Sequence, residues 1–409
     1  KPYSRNLIDK VKQELVRLYF DNGRYSSSVE VTENELENNI IELSLNINEG
    51  KASTIKEIKI LGNKTYSTRL LKSLIKSGPK YWFEVWSDKD IYNSTLLDQD
   101  IEAIRDYYLN RGYAKFEIIS KQVNLSPNKE DIYITLSIKE GNLYKFGKIT
   151  IYGLDKFDPN IFNNIIDYNI KPGTSFSRSN IEGSKKAIEF ILGEKGYAFP
   201  TILVNVALQD NKGLVDIDFR VDPKKKSFVR RINIKGNTKT NDEVYRRELR
   251  QFESSTYSES KVQRSKIRLQ RLKFVNQVDV NKTIIDENNG YIDIDFLLDE
   301  TQSGEFKLGA GYSDSSGAIF NVKVQQDNFL GKGNNVVLEL EKSSYKKLLR
   351  YRNTNPYFTE DGISKSTSIV LSETDVSETS TAAYISDTFA YGVDYNVPIS
   401  EDRSYGYGA

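Results

Sequence analysis

The 409-residue sequence contains no cysteine, no histidine and no methionine. Without cysteine there is no disulfide, no thiolate metal ligand and no thiol nucleophile. Without histidine there is no Ser-His-Asp triad and no ordinary zinc site. Without methionine the chain holds no start residue. It opens at Lys1 in the middle of a pattern, so the expectation is a fragment whose targeting signal lies outside it. No run of about 20 apolar residues is present, which excludes a transmembrane helix but leaves a transmembrane barrel open. Neither sign of charge dominates, with 58 Lys+Arg against 57 Asp+Glu, so a nucleic acid partner is not expected. No glycine-rich phosphate loop is found. These absences together imply no cofactor and no metal.

In place of such motifs the sequence has repetition. The run Ile55-Lys56-Glu57-Ile58-Lys59-Ile60-Leu61-Gly62-Asn63 returns as Phe146-Gly147-Lys148-Ile149-Thr150-Ile151-Tyr152-Gly153-Leu154. It returns again as Val229-Arg230-Arg231-Ile232-Asn233-Ile234-Lys235-Gly236-Asn237. The period-two alternation marks a strand, and an internal repeat of this length marks an array of one small module. Each strand is followed by helix signals, such as Ser67-Thr68-Arg69-Leu70-Leu71. A second helix then ends in an aromatic-glycine corner: Tyr19–Ser26 in the first module, Tyr107–Ala114 in the next, then Phe190–Ala198. Glycine there suits a left-handed helix cap. Two strands close each module, the last of them at 40–49, 132–140, 215–222 and 291–300.

The order per module is β-α-α-β-β, which makes the fold class α+β. The compact solution is a three-stranded mixed sheet with two helices on one face. The predicted modules are 1–52, lacking its opening strand and first helix, then 53–142, 143–224 and 225–301. The last departs from the pattern at its corner, Leu272-Lys273-Phe274-Val275-Asn276, which has no glycine.

After Glu300 helical periodicity stops. Alternating segments of about ten residues follow, at 304–312, 318–326, 334–342, 346–354, 363–372 and 388–397. Tight joints rich in Asp, Ser, Gly and Asn separate most of them, as in antiparallel hairpins. One apolar and one polar face is the pattern of a barrel wall in lipid. Residues 302–409 are therefore predicted to be six strands of an antiparallel transmembrane β-barrel. That is too few to close, and an open sheet with one greasy face is expected to aggregate by itself.

At this point the residues resemble the BamA family of bacterial outer-membrane protein assembly factors. The resemblance covers nearly the whole chain. It is carried by the corners Tyr107–Ala114 and Lys195-Gly196-Tyr197-Ala198, and by Leu249-Arg250-Gln251 after Arg246-Arg247-Glu248. Two further motifs carry it in the barrel part: Gln325-Gln326-Asp327-Asn328-Phe329-Leu330-Gly331-Lys332-Gly333 and Asn355-Pro356-Tyr357-Phe358. It implies tandem polypeptide-transport-associated (POTRA) domains, the second (partial) to the fifth, followed by the N-terminal part of the barrel. It further implies a Gram-negative outer membrane location with the POTRA part in the periplasm. Implied partners are unfolded outer-membrane β-barrel proteins and BAM-complex lipoproteins. By resemblance Val123 and Leu125 lie where the BamB-like lipoprotein docks. Glu248, beside Arg246 and Arg247, matches the contact to the BamD-like lipoprotein. The first barrel strand, with Phe306, Leu308, Gly309, Ala310, Gly311 and Tyr312, would open sideways as a gate on which a client strand templates.

Each of these positions also has a plainer reading. The strand at 116–125 is the expected open edge of its module. It either accepts another chain by strand addition or is protected by charge. Val123 and Leu125 read equally as strand packing. Glu248 is expected to be exposed, either exchanging a weak local pair for an intermolecular one or merely solvated. Lys261, Arg264, Arg268 and Arg271 share a helix face by their spacing. That face suits anionic head groups or acidic partner surfaces, or it is a solvated face opposite Val262, Leu269 and Leu272. Gly309 and Gly311 either weaken the first barrel strand or relieve crowding in a plain wall. Tyr312, Tyr345, Tyr351 and Tyr357 are expected in aromatic girdles. Trp82 and Trp86 are expected to pack in a long loop.

The leading functional expectation is an insertase that assembles outer-membrane proteins without ATP and without a chemical step. The alternative is a secretion pore of the same superfamily that exports a partner protein. A hydrolase using Asp216/Asp218 or Asp293/Asp295 is the enzyme alternative. Those pairs look like the solvent side of alternating strands.

Overall fold

A computed structural model describes residues 4–36, 40–80, 84, 86–314, 317–375, 384–401 and 403–409. The chain divides into two compact units, Lys1–Ile188 with Ile202–Asp222, and Glu189–Thr201 with Pro223–Ala409. The first module contains α1 (Arg5–Asp21) and an antiparallel pair, β1 (Ser28–Leu36) and β2 (Ile40–Asn48). The second has β3 (Thr54–Leu61), α2 (Thr68–Ser73), α3 (Ser94–Leu109), β4 (Glu117–Leu125) and β5 (Asp131–Lys139). The third has β6 (Lys145–Tyr152), α4 (Pro159–Asn169), α5 (Arg178–Glu194), β7 (Thr201–Gln209) and β8 (Leu214–Asp222). The fourth has β9 (Phe228–Lys235), α6 (Asp242–Arg246), the two-residue β10 (Ser255–Thr256), α7 (Glu259–Gln270), β11 (Val275–Asp286) and β12 (Tyr291–Glu300).

The sheets run β3-β5-β4, β6-β8-β7 and β10-β9-β12-β11. In each, the opening strand lies parallel to the closing strand. The parallel pair places the repeat glycines beside the strand that closes the module. Gly62, Gly153 and Gly236 have φ of +93, +88 and +91°. A Cβ on any of them would run into the carbonyl oxygen of Ile138, Val221 or Leu298 respectively. The repeat glycine thus meets two demands that no other residue meets, left-handed backbone and direct contact with a neighbouring backbone.

Helix α3 shows why the helices form where they do. The Asn93 side chain caps it, accepting the Leu96 N–H at 2.8 Å. Leu97, Ile101, Ile104 and Tyr108 follow helical spacing and are buried. They pack on Ile58, Ile60, Ile132, Ile134 and Leu136 of the sheet.

The aromatic-glycine corner has a further role besides capping. Its carbonyl receives an N–H from the segment that follows the module's closing strand. Gly23 accepts from Ser53 at 2.8 Å, Gly112 from Tyr144 at 2.8 Å and Gly196 from Ser227 at 2.7 Å. The residue one or two positions earlier reaches the next module's second helix. Asn22 pairs with the α3 cap Asn93 at 2.8 Å, Asn110 accepts the Ser179 N–H of α5 at 2.7 Å, and Glu194 accepts the Ser260 hydroxyl of α7 at 2.8 Å. At the fourth corner the Phe274 carbonyl takes the Thr301 N–H at 3.0 Å, so the exit of the module is held there without glycine.

The last part is one antiparallel sheet in chain order: β13 (Gly304–Ser313), β14 (Gly317–Phe329), β15 (Asn334–Lys342), β16 (Lys346–Asn355), β17 (Ser364–Asp375), β18 (Ile385–Ser400) and β19 (Arg403–Gly408). Seven strands replace the six expected. β19 has only six residues, so it falls below the ten-residue pattern used to find the others. The register aligns like with like. Leu308, Val322, Leu340, Leu349, Leu371 and Phe389 are successive cross-strand partners. Phe306, Val324, Leu338, Tyr351, Ile369 and Tyr391 form a second such row. The opposite face carries Lys307, Lys323, Glu339 and Arg350 in one row, with Arg350 and Glu339 joined at 3.0 Å. One continuous apolar face backed by a polar one is what a wall between lipid and an aqueous lumen requires.

Candidate functional site

Three surfaces hold the predicted site residues. The first is the edge of β4, which among the described residues pairs with β5 alone. Val123 lies opposite Ile134 and packs against the module core, while Leu125 lies at the strand end and is more exposed. Val123 therefore has the packing role, whatever else the edge does. Trp86, in the loop before α3, is 98% exposed, so it does not pack as expected. Trp82 lies outside the described residues.

The second surface is β13, the first strand of the wall and the edge of its sheet. Phe306, Leu308, Ala310 and Tyr312 alternate onto the apolar face, and Leu308 and Tyr312 are 71% and 78% exposed. Gly309 and Gly311 face the other way. Nothing lies within 4 Å of where a Gly311 Cβ would be. The inner side of this strand is thus open at Gly311, and the strand is held by its ladder to β14.

The third surface is the contact between the fourth module and the wall, where both family-like barrel motifs turn out to act. The end of β14 and the turn after it use left-handed backbone at Asn328, Leu330, Gly331 and Gly333. Gly331 accepts the Asn241 N–H at 2.9 Å, and Asn328 donates to Thr240 Oγ1 at 2.7 Å. A Cβ on Gly331 would strike the Lys239 carbonyl, and one on Gly333 would strike Arg247. The turn after β16 brings Tyr357 under the Arg247 guanidinium, 4.5 Å from ring centre to Cζ. Its hydroxyl accepts from Arg268 Nη2 at 3.0 Å. Tyr357 is therefore engaged with the module, and the girdle role expected for it gives way to docking.

Glu248 is buried here, contrary to the expected exposure. α6 ends at Arg246, so Arg247 and Glu248 turn inward past the helix end. Glu248 Oε2 meets Arg268 Nη2 at 2.7 Å. Burial opposes the Arg268 charge, but Glu248 and Tyr357 outweigh it and hold its pKa above the usual value. Arg268 accordingly leaves the basic face. Lys261 and Arg264 remain exposed on α7, as does Arg271 just past its end. Arg250 reaches Glu401 of the turn between β18 and β19 at 2.9 Å, and that hydrogen bond holds Glu401 below the usual carboxylate range. Arg246 instead pairs with Asp242. The paired aspartates are likewise occupied: Asp293 by Arg230 at 2.6 Å, Asp295 by Lys235 at 2.6 Å.

Glu300, at the end of β12, supports the loop that grips the wall. It accepts from the N–H groups of Thr238, Lys239 and Thr240 at 2.9, 2.8 and 3.2 Å and from the Tyr245 hydroxyl at 2.7 Å. Glu140 has the same place in the second module, accepting from Lys64, Thr65 and Tyr108. Burial alone would raise the Glu300 pKa, yet these hydrogen bonds pull it down to about 2. Its folded value is below its unfolded value of about 4.3. The stabilisation is therefore complete above that unfolded value and is lost as pH falls towards 2. The loop at Thr238, Lys239 and Thr240 is expected to lose hydrogen-exchange protection across this window, and Glu300→Gln to reduce that local pH dependence. An unchanged profile in Glu300→Gln would count against the nest of N–H groups as its cause.

Residues 1–50, 53–141, 144–224 and 227–301 match the POTRA family, described as a surface antigen variable number repeat. Residues 328–409 match the Omp85 superfamily domain. The chain is similar to the outer membrane protein assembly factor BamA of Neisseria meningitidis serogroup B, 30% identical over 99% of this chain and 51% of that protein. It is also similar to BamA of Buchnera aphidicola, 29% identical over 88% of this chain and 58% of that protein. The chain thus spans about half the length of these curated relatives. Among solved structures, Haemophilus ducreyi BamA lacking POTRA domains 1-3 aligns with a TM-score of 0.57 and 29% identity, over 65% of this chain and 50% of that one. The POTRA3-5 structure of Haemophilus influenzae BamA aligns with a TM-score of 0.55 and 28% identity, over 61% of this chain and 97% of that one. The repeated β-α-α-β-β modules, their parallel opening and closing strands and the antiparallel wall that follows are accounted for together: the chain belongs to the POTRA family and continues into an Omp85 superfamily domain.

Proposed function

We propose that this chain is the module array and first wall strands of an outer-membrane protein assembly factor. The modules stand in the periplasm of a Gram-negative cell and receive unfolded β-barrel clients. The wall lies in the outer membrane and catalyses client folding and insertion without ATP and without making or breaking a covalent bond. The observation that carries this reading is a row of four modules leading into a wall whose continuous apolar face is backed by a polar one. A backbone edge in lipid must find hydrogen-bond partners, and a client strand supplies them with little demand on its sequence. The same reasoning assigns β4 as an edge for periplasmic strand addition or for a BamB-like lipoprotein, with Leu125 as its accessible apolar contact. A BamD-like lipoprotein would dock at Arg246, Arg247 and Glu248, and the exposed basic residues Lys261, Arg264 and Arg271 would meet anionic head groups or an acidic partner surface. For it to use Glu248, the partner would have to displace Arg268.

The test is reconstitution of the full-length protein in vesicles. A urea-unfolded outer-membrane barrel protein is added and its folding followed by resistance to protease. Folding about tenfold faster or more than in empty vesicles is expected. Equal rates would sink the proposal, and appearance of a soluble protein inside the vesicles would favour an export pore.

A further inference from the structure

The contact between the fourth module and the wall encloses a cavity of about 710 Å³, lined by Arg247, Arg250, Arg268 and the turns that hold Tyr357 and Glu401. Two of its arginines already have carboxylate partners, Arg250 with Glu401 and Arg268 with Glu248. Four charges on its lining remain: Arg247 and Arg403 against Glu360 and Asp361. Among the described residues none of these four is in an ion pair with another. The Nε atoms of Arg247 and Arg268 are buried and make no hydrogen bond, which is costly for a charged group. The cavity therefore offers two positive and two negative groups, and it is neutral overall.

Its level relative to the wall is marked independently. Phe358 contacts Tyr395 at 6.0 Å between ring centres, and Tyr395 stacks on Tyr407 at 5.6 Å. Lys365 lies over both Phe358 and Tyr395. Such a cluster at strand ends is the composition of a headgroup-level belt. Ile399, which lines the cavity, is 72% exposed beside it.

We infer that this cavity binds the headgroup of a zwitterionic amino-phospholipid of the periplasmic leaflet. The phosphate is held by Arg247 and Arg403, and the primary ammonium by Glu360 and Asp361. Guanidinium groups suit phosphate oxygens, and a primary ammonium gives the carboxylates hydrogen-bond donors that a quaternary ammonium lacks. The inference rests on the placement of the wall in a bilayer, and its test does not use client insertion, so the two can fail separately.

Full-length protein in detergent is titrated with phosphatidylethanolamine, phosphatidylcholine or phosphatidylglycerol, and bound lipid is read by native mass spectrometry. The expected result is about tenfold tighter retention of phosphatidylethanolamine than of the other two. Glu360→Gln with Asp361→Asn, both on an exposed turn, should bring it to the level of phosphatidylcholine. Arg247→Gln should weaken both zwitterionic lipids. Soluble phosphorylethanolamine at millimolar concentration should displace the lipid. Equal retention of all three lipids, or an unchanged preference in the carboxylate variant, overturns the inference. Binding of phosphorylethanolamine without retention of the lipid assigns the cavity to a soluble ligand and overturns the lipid assignment.

Discussion

Gly153→Ala is expected to unfold the third module locally, while Gly173→Ala in the same module is expected to cost markedly less. Both glycines are left-handed, with φ of +88 and +82°. They differ in what surrounds them. A Cβ at Gly153 would enter the space of the Val221 carbonyl, whereas nothing lies within 4 Å of one at Gly173. The left-handed backbone alone costs an alanine about 1–2 kcal/mol. At Gly153 the alanine must also push β6 away from β8, breaking the parallel ladder that defines the module, so a loss of about 3 kcal/mol or more follows. Hydrogen exchange of the β6 and β8 amides reads this directly. Exchange should quicken by about a hundredfold or more in Gly153→Ala and by about tenfold in Gly173→Ala. Comparable acceleration in both would mean that backbone conformation, and not contact between strands, fixes the repeat glycine.

That pair of glycines also shows where sequence reading stops. Gly62, Gly153 and Gly236 were legible as a repeat because the strand pattern around them recurs. Their reason was not, since it lies in a carbonyl about 60 to 75 residues away that only the parallel pairing brings near. The corner glycines were legible as helix caps from local signals. Their second task, holding the module's exit, is a contact between distant segments and leaves no local trace. The wall was legible strand by strand, because alternation is local, except for β19, which is short. Trp86 read as packed because tryptophan usually is. Glu248 read as exposed because its neighbours are charged, Arg246 and Arg247 before it and Arg250 after. Helical periodicity cannot be extended through a helix that stops at Arg246. The two barrel motifs were recognisable as patterns, but their docking onto Thr240, Arg247 and Arg268 depends on the turns they form.

Reversing the charge at Glu248 should be the most damaging single change at the contact between module and wall. Glu248 is 6% exposed and Arg268 is bound to it at 2.7 Å, beneath Tyr357 and near Glu401. In Glu248→Lys a second cation replaces the partner of a guanidinium that is itself largely screened from water. Removing one partner of a buried pair costs about 3–5 kcal/mol, and the like charge adds to it. Arg268 would turn away, Tyr357 would lose its donor, and the turn after β16 would detach. Two mechanisms predict loss of function for this variant, internal docking and loss of a contact to a lipoprotein. Arg268→Glu added to Glu248→Lys separates them. If the internal pair matters, the double variant regains protease resistance at the turn around residues 356–362 and most of the assembly rate in vesicles without any lipoprotein. If Glu248 serves only an external partner, the single variant keeps its lipoprotein-free rate and the second substitution restores nothing. The buried geometry predicts the first outcome, because a carboxylate this enclosed cannot leave Arg268 without leaving an unpaired charge behind.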